Sequence, residues 1–232
     1  MVRISKVLLL ALFILLGGCK ERVNNPEPLP PRPIFVAASA DTAALEHGID
    51  AIPEENAIFL EWRTNAAYET LRLYRKKGNA AAFALLAAPG LNDTTFVDRV
   101  DVGVRYYYYL VAEDASGISS APSDTIDYQL LPKAINLSVS HVDTMRFHWQ
   151  IQGIRPVSFI LRLYDESTQE IVWLSVIPPS YQGDKEEIAF DWDGKARRKQ
   201  LLQGTQYRWR IDCVGSAAFS GSESGWHRFV ML

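Results

Sequence analysis

Cysteine is almost missing from this chain: there are two in 232 residues, Cys19 and Cys213. A disulfide framework is excluded, and at most one bridge could form. The four histidines, His47, His141, His148 and His227, show no H-x-H or H-x-x-x-H grouping. Ligand spacing for zinc and a nucleophile–base arrangement are both missing. Neither sign of charge dominates, with 24 Lys and Arg against 27 Asp and Glu and a net charge of −3. Nucleic-acid binders usually carry a strong basic excess, so that partner is not expected. What is abundant is hydrophobic content, at 48%, with 10 Tyr, 10 Phe and 6 Trp. This is enough to bury a core, and aromatic enrichment leans towards β structure.

The N-terminus is built differently from the rest. Arg3 and Lys6 precede ten consecutive apolar residues, 7–16, and Gly17-Gly18 then lead into Cys19. Ten apolar residues are too few for a bilayer span, which takes about 18 or more. A cationic start, a short apolar core and small residues make a secretory signal. With cysteine directly after Leu16-Gly17-Gly18, it resembles a bacterial lipoprotein signal. That resemblance implies an acylated Cys19 as the new N-terminus, held in the envelope. Lys20 is not the aspartate that retains such proteins at the inner membrane, so the outer membrane is expected, on either face. A thioether-linked Cys19 has no thiol, which removes the otherwise obvious Cys19–Cys213 bridge. Pro26, Pro28, Pro30, Pro31 and Pro33 follow, and proline bias makes this stretch an extended, semi-rigid tether.

From Ile34 onward the apolar period is two. Ile58, Leu60 and Trp62 share one strand face, as do Leu71 and Leu73, and Tyr106, Tyr108, Leu110 and Ala112. Turn clusters such as Lys77-Gly78-Asn79 and Ser116-Gly117 separate the strands. The second half replays this order. Met145-Arg146-Phe147-His148-Trp149 matches the Trp62 strand, and Leu161-Arg162-Leu163-Tyr164 repeats Leu71-Arg72-Leu73-Tyr74 outright. Gly204-Thr205-Gln206-Tyr207 matches Gly103-Val104-Arg105-Tyr106. The offsets are 149 − 62 = 87, 161 − 71 = 90 and 207 − 106 = 101. A period of that size is a whole small domain, and its growth predicts insertions around Ser167-Thr168 and between Pro178 and Asp184.

Both halves resemble fibronectin type III modules. The likeness rests on Trp62, Leu71 to Tyr74, Phe96-Val97-Asp98, Gly103-x-x-Tyr106 and Ala112-x-Asp114 in the first. In the second it rests on Trp149, Leu161 to Tyr164, Gly204-x-x-Tyr207 and Ser224-Gly225-Trp226. The resemblance implies an all-β fold of two tandem immunoglobulin-like sandwiches. The expected division is signal peptide 1–18, lipidated Cys19 and tether 19–33, first domain 34–130 and second domain 131–232. Tyr106 and Tyr207 are expected to be tyrosine corners, rings packed inside with the hydroxyl bonded to backbone upstream. Gly103 and Gly204 suit the turn before them, where positive φ costs glycine little. Cys213 takes the place of Ala112 and reads as a small core residue. The linker from Tyr128 to Lys133 has almost no slack, so an elongated, semi-rigid pair is expected.

Few groups suggest chemistry. Asp191-Trp192-Asp193-Gly194 falls short of the oxygen ligands of a calcium loop and reads as a turn. Glu186-Glu187 reads as a solvated edge, and Lys195-Ala196-Arg197-Arg198-Lys199 as a charged loop that could also touch an anionic surface. The period of two leaves Arg72, Tyr74, Tyr107 and Tyr109 outward on neighbouring strands. They form an aromatic and cationic stripe of residue types enriched in binding hot spots, although the same side chains also make a cross-strand ladder. Arg162, Tyr164, Arg208 and Arg210 are its expected counterpart in the second module.

The sequence thus predicts a lipid-anchored envelope protein, not an enzyme and without a cofactor or metal. It would display an interaction module to a protein or glycan. A structural accessory subunit of an envelope or secretion assembly is the first alternative. A polysaccharide-active enzyme or enzyme accessory is the second, and it would require clustered carboxylates in a cleft.

Overall fold

The computed structural model describes residues 28–180 and 183–232. Cys19, the signal and the start of the tether lie outside the described residues. Among the described residues, sixteen strands follow in order. The first module holds β1 (Ile34–Phe35), β2 (Asp50–Ala51), β3 (Ala57–Arg63), β4 (Thr70–Lys77), β5 (Ala84–Ala87), β6 (Thr95–Arg99), β7 (Arg105–Glu113) and β8 (Ile126–Leu130). The second holds β9 (Ile135–His141), β10 (Met145–Gln150), β11 (Ser158–Asp165), β12 (Ile171–Ile177), β13 (Lys185–Ala189), β14 (Gln206–Val214), β15 (Ser220–Glu223) and β16 (His227–Val230).

Each module is a two-sheet sandwich. In the first, β3 pairs with β1, β2 and β6, and the facing sheet runs β5-β4-β7-β8. In the second, β13-β10-β9 faces β12-β11-β14, with β15 and β16 both pairing β14. Alternation decides which side chains meet between the sheets. Ile58, Leu60 and Trp62 pack against Leu71, Leu73, Tyr108 and Leu110 in one core. Phe147, Trp149, Phe159, Trp173, Trp209, Ile211 and Cys213 fill the other. The second core is richer in rings, with Phe147 set edge-on to Trp209 at 4.9 Å and Trp149 edge-on to Phe159 at 5.2 Å. Edge-to-face pairs of this kind add to the area they bury.

Tyr106 and Tyr207 enter β7 and β14 with their rings inside. The Asp101 backbone N–H donates to Tyr106 Oη at 3.3 Å, and the Leu202 N–H donates to Tyr207 Oη at 2.9 Å. Each hydroxyl therefore holds the loop that precedes its own strand.

Two expectations change. The extra length of the second module does not lie at Ser167-Thr168 or at 178–184. Seven residues join β12 to β13 (178–184), as seven join β5 to β6 (88–94). The insertion is between β13 and β14, sixteen residues (190–205) against five (100–104) between β6 and β7. That difference, 16 − 5 = 11, accounts for the late growth of the repeat offset. The modules are also joined by more than a taut linker. Strand β15 pairs parallel with β8, Ser220 opposite Gln129 and Gly221 opposite Leu130. The two larger sheets thus fuse into one of nine strands. Gln129 N–H donates to Phe219 O at 3.0 Å, Leu131 N–H to Gly221 O at 2.8 Å, and Ser222 Oγ to Pro132 O at 2.9 Å. Gly221 is needed there, because a Cβ would lie 2.8 Å from Cys213 O and 3.0 Å from Tyr128 Oη.

Candidate functional site

The fused sheet has two equivalent outer faces, one per module, and they have opposite fates. On the first, antiparallel register sets Tyr74 opposite Tyr109 and Lys76 opposite Tyr107. The Tyr74 and Tyr109 rings stack at 4.8 Å with 12° between planes, and Phe83 meets Tyr109 edge-on at 4.8 Å. Lys76 Nζ lies 4.6 Å from the Tyr107 ring centre and 5.3 Å from that of Phe83. Arg72 forms a two-pronged pair with Glu113, and Arg105 pairs with Asp127 and donates to Ala218 O at 3.1 Å. Arg72, Tyr74, Lys76, Tyr107 and Tyr109 are all half-buried, so their outward edges meet solvent. Lys76 has no carboxylate partner among the described residues. The stripe is thus both a packed ladder and an accessible platform.

On the second module the counterpart is closed, which overturns its reading as an exposed stripe. Arg162 is 1% exposed and Arg210 4%. The first module's loop 36–49, between β1 and β2, lies over them. Arg162 donates from Nη1 to Ala43 O and from Nη2 to Asp41 O, both at 2.6 Å, and from Nε to Asp212 Oδ2 at 2.6 Å. Glu46 Oε1 lies 2.6 Å from Arg162 Nη2. Arg210 Nη2 donates to both Glu46 oxygens at 2.8 and 2.7 Å and to Glu223 Oε1 at 2.5 Å. Arg162 and Arg210 stand directly opposite across β11 and β14, where like charges repel. The three carboxylates between them answer that repulsion. Tyr164 and Arg208 stay half-buried beyond the loop, and Trp226 lies 4.8 Å from the Arg208 guanidinium and 5.0 Å from that of Arg210.

Ligand atoms of Glu46, Asp212 and Glu223 lie within 4.8 Å of one another, as a metal site would require. Two guanidiniums already occupy that space, so the positive charge is the protein's own. Asp50 adjoins the cluster and accepts from Tyr128 Oη at 3.1 Å. Burial, then the charge of Glu46, raises its pKa to about 6. Burial also raises Asp212 and Glu223, with Arg210 pulling the other way and Glu46 adding to the rise. For Arg210 burial disfavours the charge, and Asp212, Glu223 and Glu46 more than offset it. Chemically the cluster is a lock between modules.

The remaining sequence candidates resolve locally. Asp193 accepts from Trp173 Nε1 and Ser175 Oγ, both at 2.9 Å, and Asp191 from Ala196 N–H at 2.7 Å and Lys199 Nζ at 2.8 Å. These two carboxylates fasten a loop. The basic run is largely neutralised, with Arg198 on Asp165 at 2.8 Å and Lys199 on Asp191. Glu187 is exposed and bonds Arg146 at 2.9 Å, whereas Glu186 is buried and accepts the Ser180 N–H at 2.9 Å. The solvated-edge reading therefore fails for Glu186, which faces inward beside Trp149. His148 lies 2.7 Å from Ser140 Oγ and His47 3.3 Å from Glu61. Cys213 is a free thiol, 2% exposed, and burial pushes its pKa up to about 12. A thiol held so far from its thiolate is inert.

No protein-family model and no curated protein matches the chain. Among solved structures it is similar to a two-domain fibronectin type III segment from chicken tenascin, at 18% identity and a TM-score of 0.32, over 79% of this chain and 96% of that one. It is also similar to the FN1–FN3 domains of chicken CNTN1, at 10% identity and a TM-score of 0.37, over 88% of this chain and 68% of that one. Strand order within each module, rather than these overall scores, makes the chain a tandem of two fibronectin type III-like sandwiches.

Proposed function

We propose that this is a non-catalytic, lipid-anchored protein of the bacterial cell envelope, displaying one binding face to a protein or glycan partner. The observation that carries the reading is the contrast between the two outer faces. The first module leaves Tyr74, Tyr107, Tyr109 and Lys76 open to solvent, while loop 36–49 closes the equivalent face of the second. Arg72 borders the open face and is held by Glu113. Half-buried tyrosines pre-ordered by stacking lose little side-chain entropy on binding, which suits them to a contact surface. Sandwiches of this kind host many functions, so the surface, not the fold, argues for the role.

The anchor would be Cys19, carried by the resemblance of residues 1–19 to a lipoprotein signal. One acyl chain binds a membrane only marginally and two or more hold stably, so a multiply acylated Cys19 would fix the two-module body at the outer membrane. Changing Cys19 to Ala should abolish metabolic labelling with palmitate; retained label removes the anchor from the account. For the face, Tyr107→Ser with Tyr109→Ser should abolish partner capture from native envelope while the melting temperature falls little. Unchanged capture, or loss only through unfolding, would count against it.

A further inference from the structure

The main path of the nine-stranded sheet ends at β5 in the first module and β12 in the second, with β16 branching from β14. Both edge strands lack charge: Ala84-Leu85-Leu86-Ala87 and Ile171-Val172-Trp173-Leu174-Ser175-Val176-Ile177. An uncharged edge presents backbone donors and acceptors to any extended chain. The second module covers its edge with the loop 190–205. The Arg197 N–H donates to Val172 O at 2.8 Å, Trp192 Nε1 donates to Ser175 Oγ at 3.0 Å, and Asp193 accepts from Trp173 and Ser175. The corresponding loop of the first module has five residues, 100–104, against sixteen. Among the described residues no segment hydrogen-bonds to the outer side of β5, which pairs with β4 alone.

The geometry points to β5 as the place where a partner polypeptide adds as an extra strand, presenting apolar side chains and at least one carboxylate. The inference rests on the binding-face reading and names its partner class. Leu85 is 56% exposed and stands opposite Tyr74, so the edge strand continues the aromatic stripe on the same outer face. Phe83, directly before β5, meets both Tyr109 and the Lys76 ammonium. An added strand would cover Leu85 and bring every second side chain to the Lys76 side. Among the described residues Lys76 is the cation of that face without a carboxylate partner, whereas Arg72 and Arg105 are paired with Glu113 and Asp127. Charge complementarity therefore asks for an acid from the partner. A second copy of this chain fits less well, since β5 brings no carboxylate and a twofold pairing would add a second unpaired Lys76. Backbone pairing would supply affinity and the side chains register, as in other strand-addition complexes.

The test uses the full-length chain with a short synthetic peptide of alternating valine and glutamate, and its valine–lysine counterpart. Saturable binding of the glutamate peptide is expected, with new amide protection at residues 84–87. Leu85→Glu and Lys76→Glu each add a negative charge to the exposed face without touching a core. Each should weaken the glutamate peptide about tenfold and favour the lysine peptide. Absence of saturable binding, equal affinity in the variants, or protection elsewhere would overturn the proposal. So would a dimer of the chain that Leu85→Glu dissociates, which would assign the edge to a second copy. If Tyr107→Ser with Tyr109→Ser loses the envelope partner while Leu85→Glu keeps it, the binding face stands and strand addition falls.

Discussion

Replacing Arg210 by methionine should lower the unfolding free energy at pH 7 by about 3–5 kcal/mol, the usual cost of removing one partner from a buried ion pair. For a chain of this size that is a fall of roughly 6–20 °C in melting temperature. Arg210 holds Glu46 from the first module and Asp212 and Glu223 from the second. Without it, three carboxylates would face only Arg162 in a buried junction. Methionine keeps most of the volume, so the loss reports charge and not a cavity. Arg228→Met is the matched control. Its pair with Glu166, at 2.7 Å, is half in solvent, and it should cost less than about 1 kcal/mol. Similar losses in the two variants would mean that the junction is not a lock.

The second large effect is a dependence on pH with an unusual sign. Asp50 is raised from its ordinary value near 3.8 to about 6 by burial and by Glu46. In the folded state it therefore binds its proton more tightly than in the unfolded chain. Its stabilising contribution is complete below about pH 4 and is lost as pH rises through 6, a change of about 3 kcal/mol. Asp212 and Glu223 shift in the same direction. Tyr128 and Lys133 face the same junction, Tyr128 donating to Asp50 and Lys133 to Ile52 O, and neither gains charge as pH rises towards neutrality. Opposing them, Asp165 is lowered to about 2 by Ser167 and Arg198, so its stabilisation disappears only at strongly acid pH. The chain should thus be more stable near pH 5 than near pH 8. Asp50→Asn keeps an acceptor for Tyr128 and Ala51 while removing the charge. It should flatten the slope between pH 4 and 6 and raise stability at pH 8. A wild-type profile that climbs from pH 5 to 8, or an unaltered slope in Asp50→Asn, would contradict the assignment.

Both effects come from a junction that the sequence concealed for a definite reason. Period-two alternation tells which side chains share a face, so Trp62, Trp149, Tyr207 and Cys213 could be read as inward. It does not tell what covers the other face. Arg162 and Arg210 are outward by that rule, yet they are buried by a loop 119 and 121 residues away from Arg162 at its two carbonyl contacts. One signal was present: Arg162 and Arg210 fall in the same expected stripe, and like charges on neighbouring strands need a carboxylate between them. Asp212, two residues after Arg210 on β14, and Glu223, at the end of β15, supply it. The insertion illustrates the same limit. The growth in offset from 90 to 101 gave its size, but its place in 190–205 follows from strand pairing. Asp193, Trp192 and Arg197 then show what it does, sealing β12.

The stripe on the first module was legible because alternation and composition agree there. Tyr74, Tyr107 and Tyr109 are outward, and no loop among the described residues closes over them as loop 36–49 closes over Arg162 and Arg210. Their accessibility follows from what the second module has and the first lacks, a covering loop on the face and a sealing loop on the edge.

The most direct test is hydrogen exchange on the full-length chain, free and in complex with the envelope partner proposed for it. Protection gained at residues 83–87 and 105–111, with residues 160–164 and 208–212 already slow in the free chain and unchanged, is the predicted result. Partner-induced protection centred on 160–164 and 208–212, with the first module's stripe unaffected, would contradict the account.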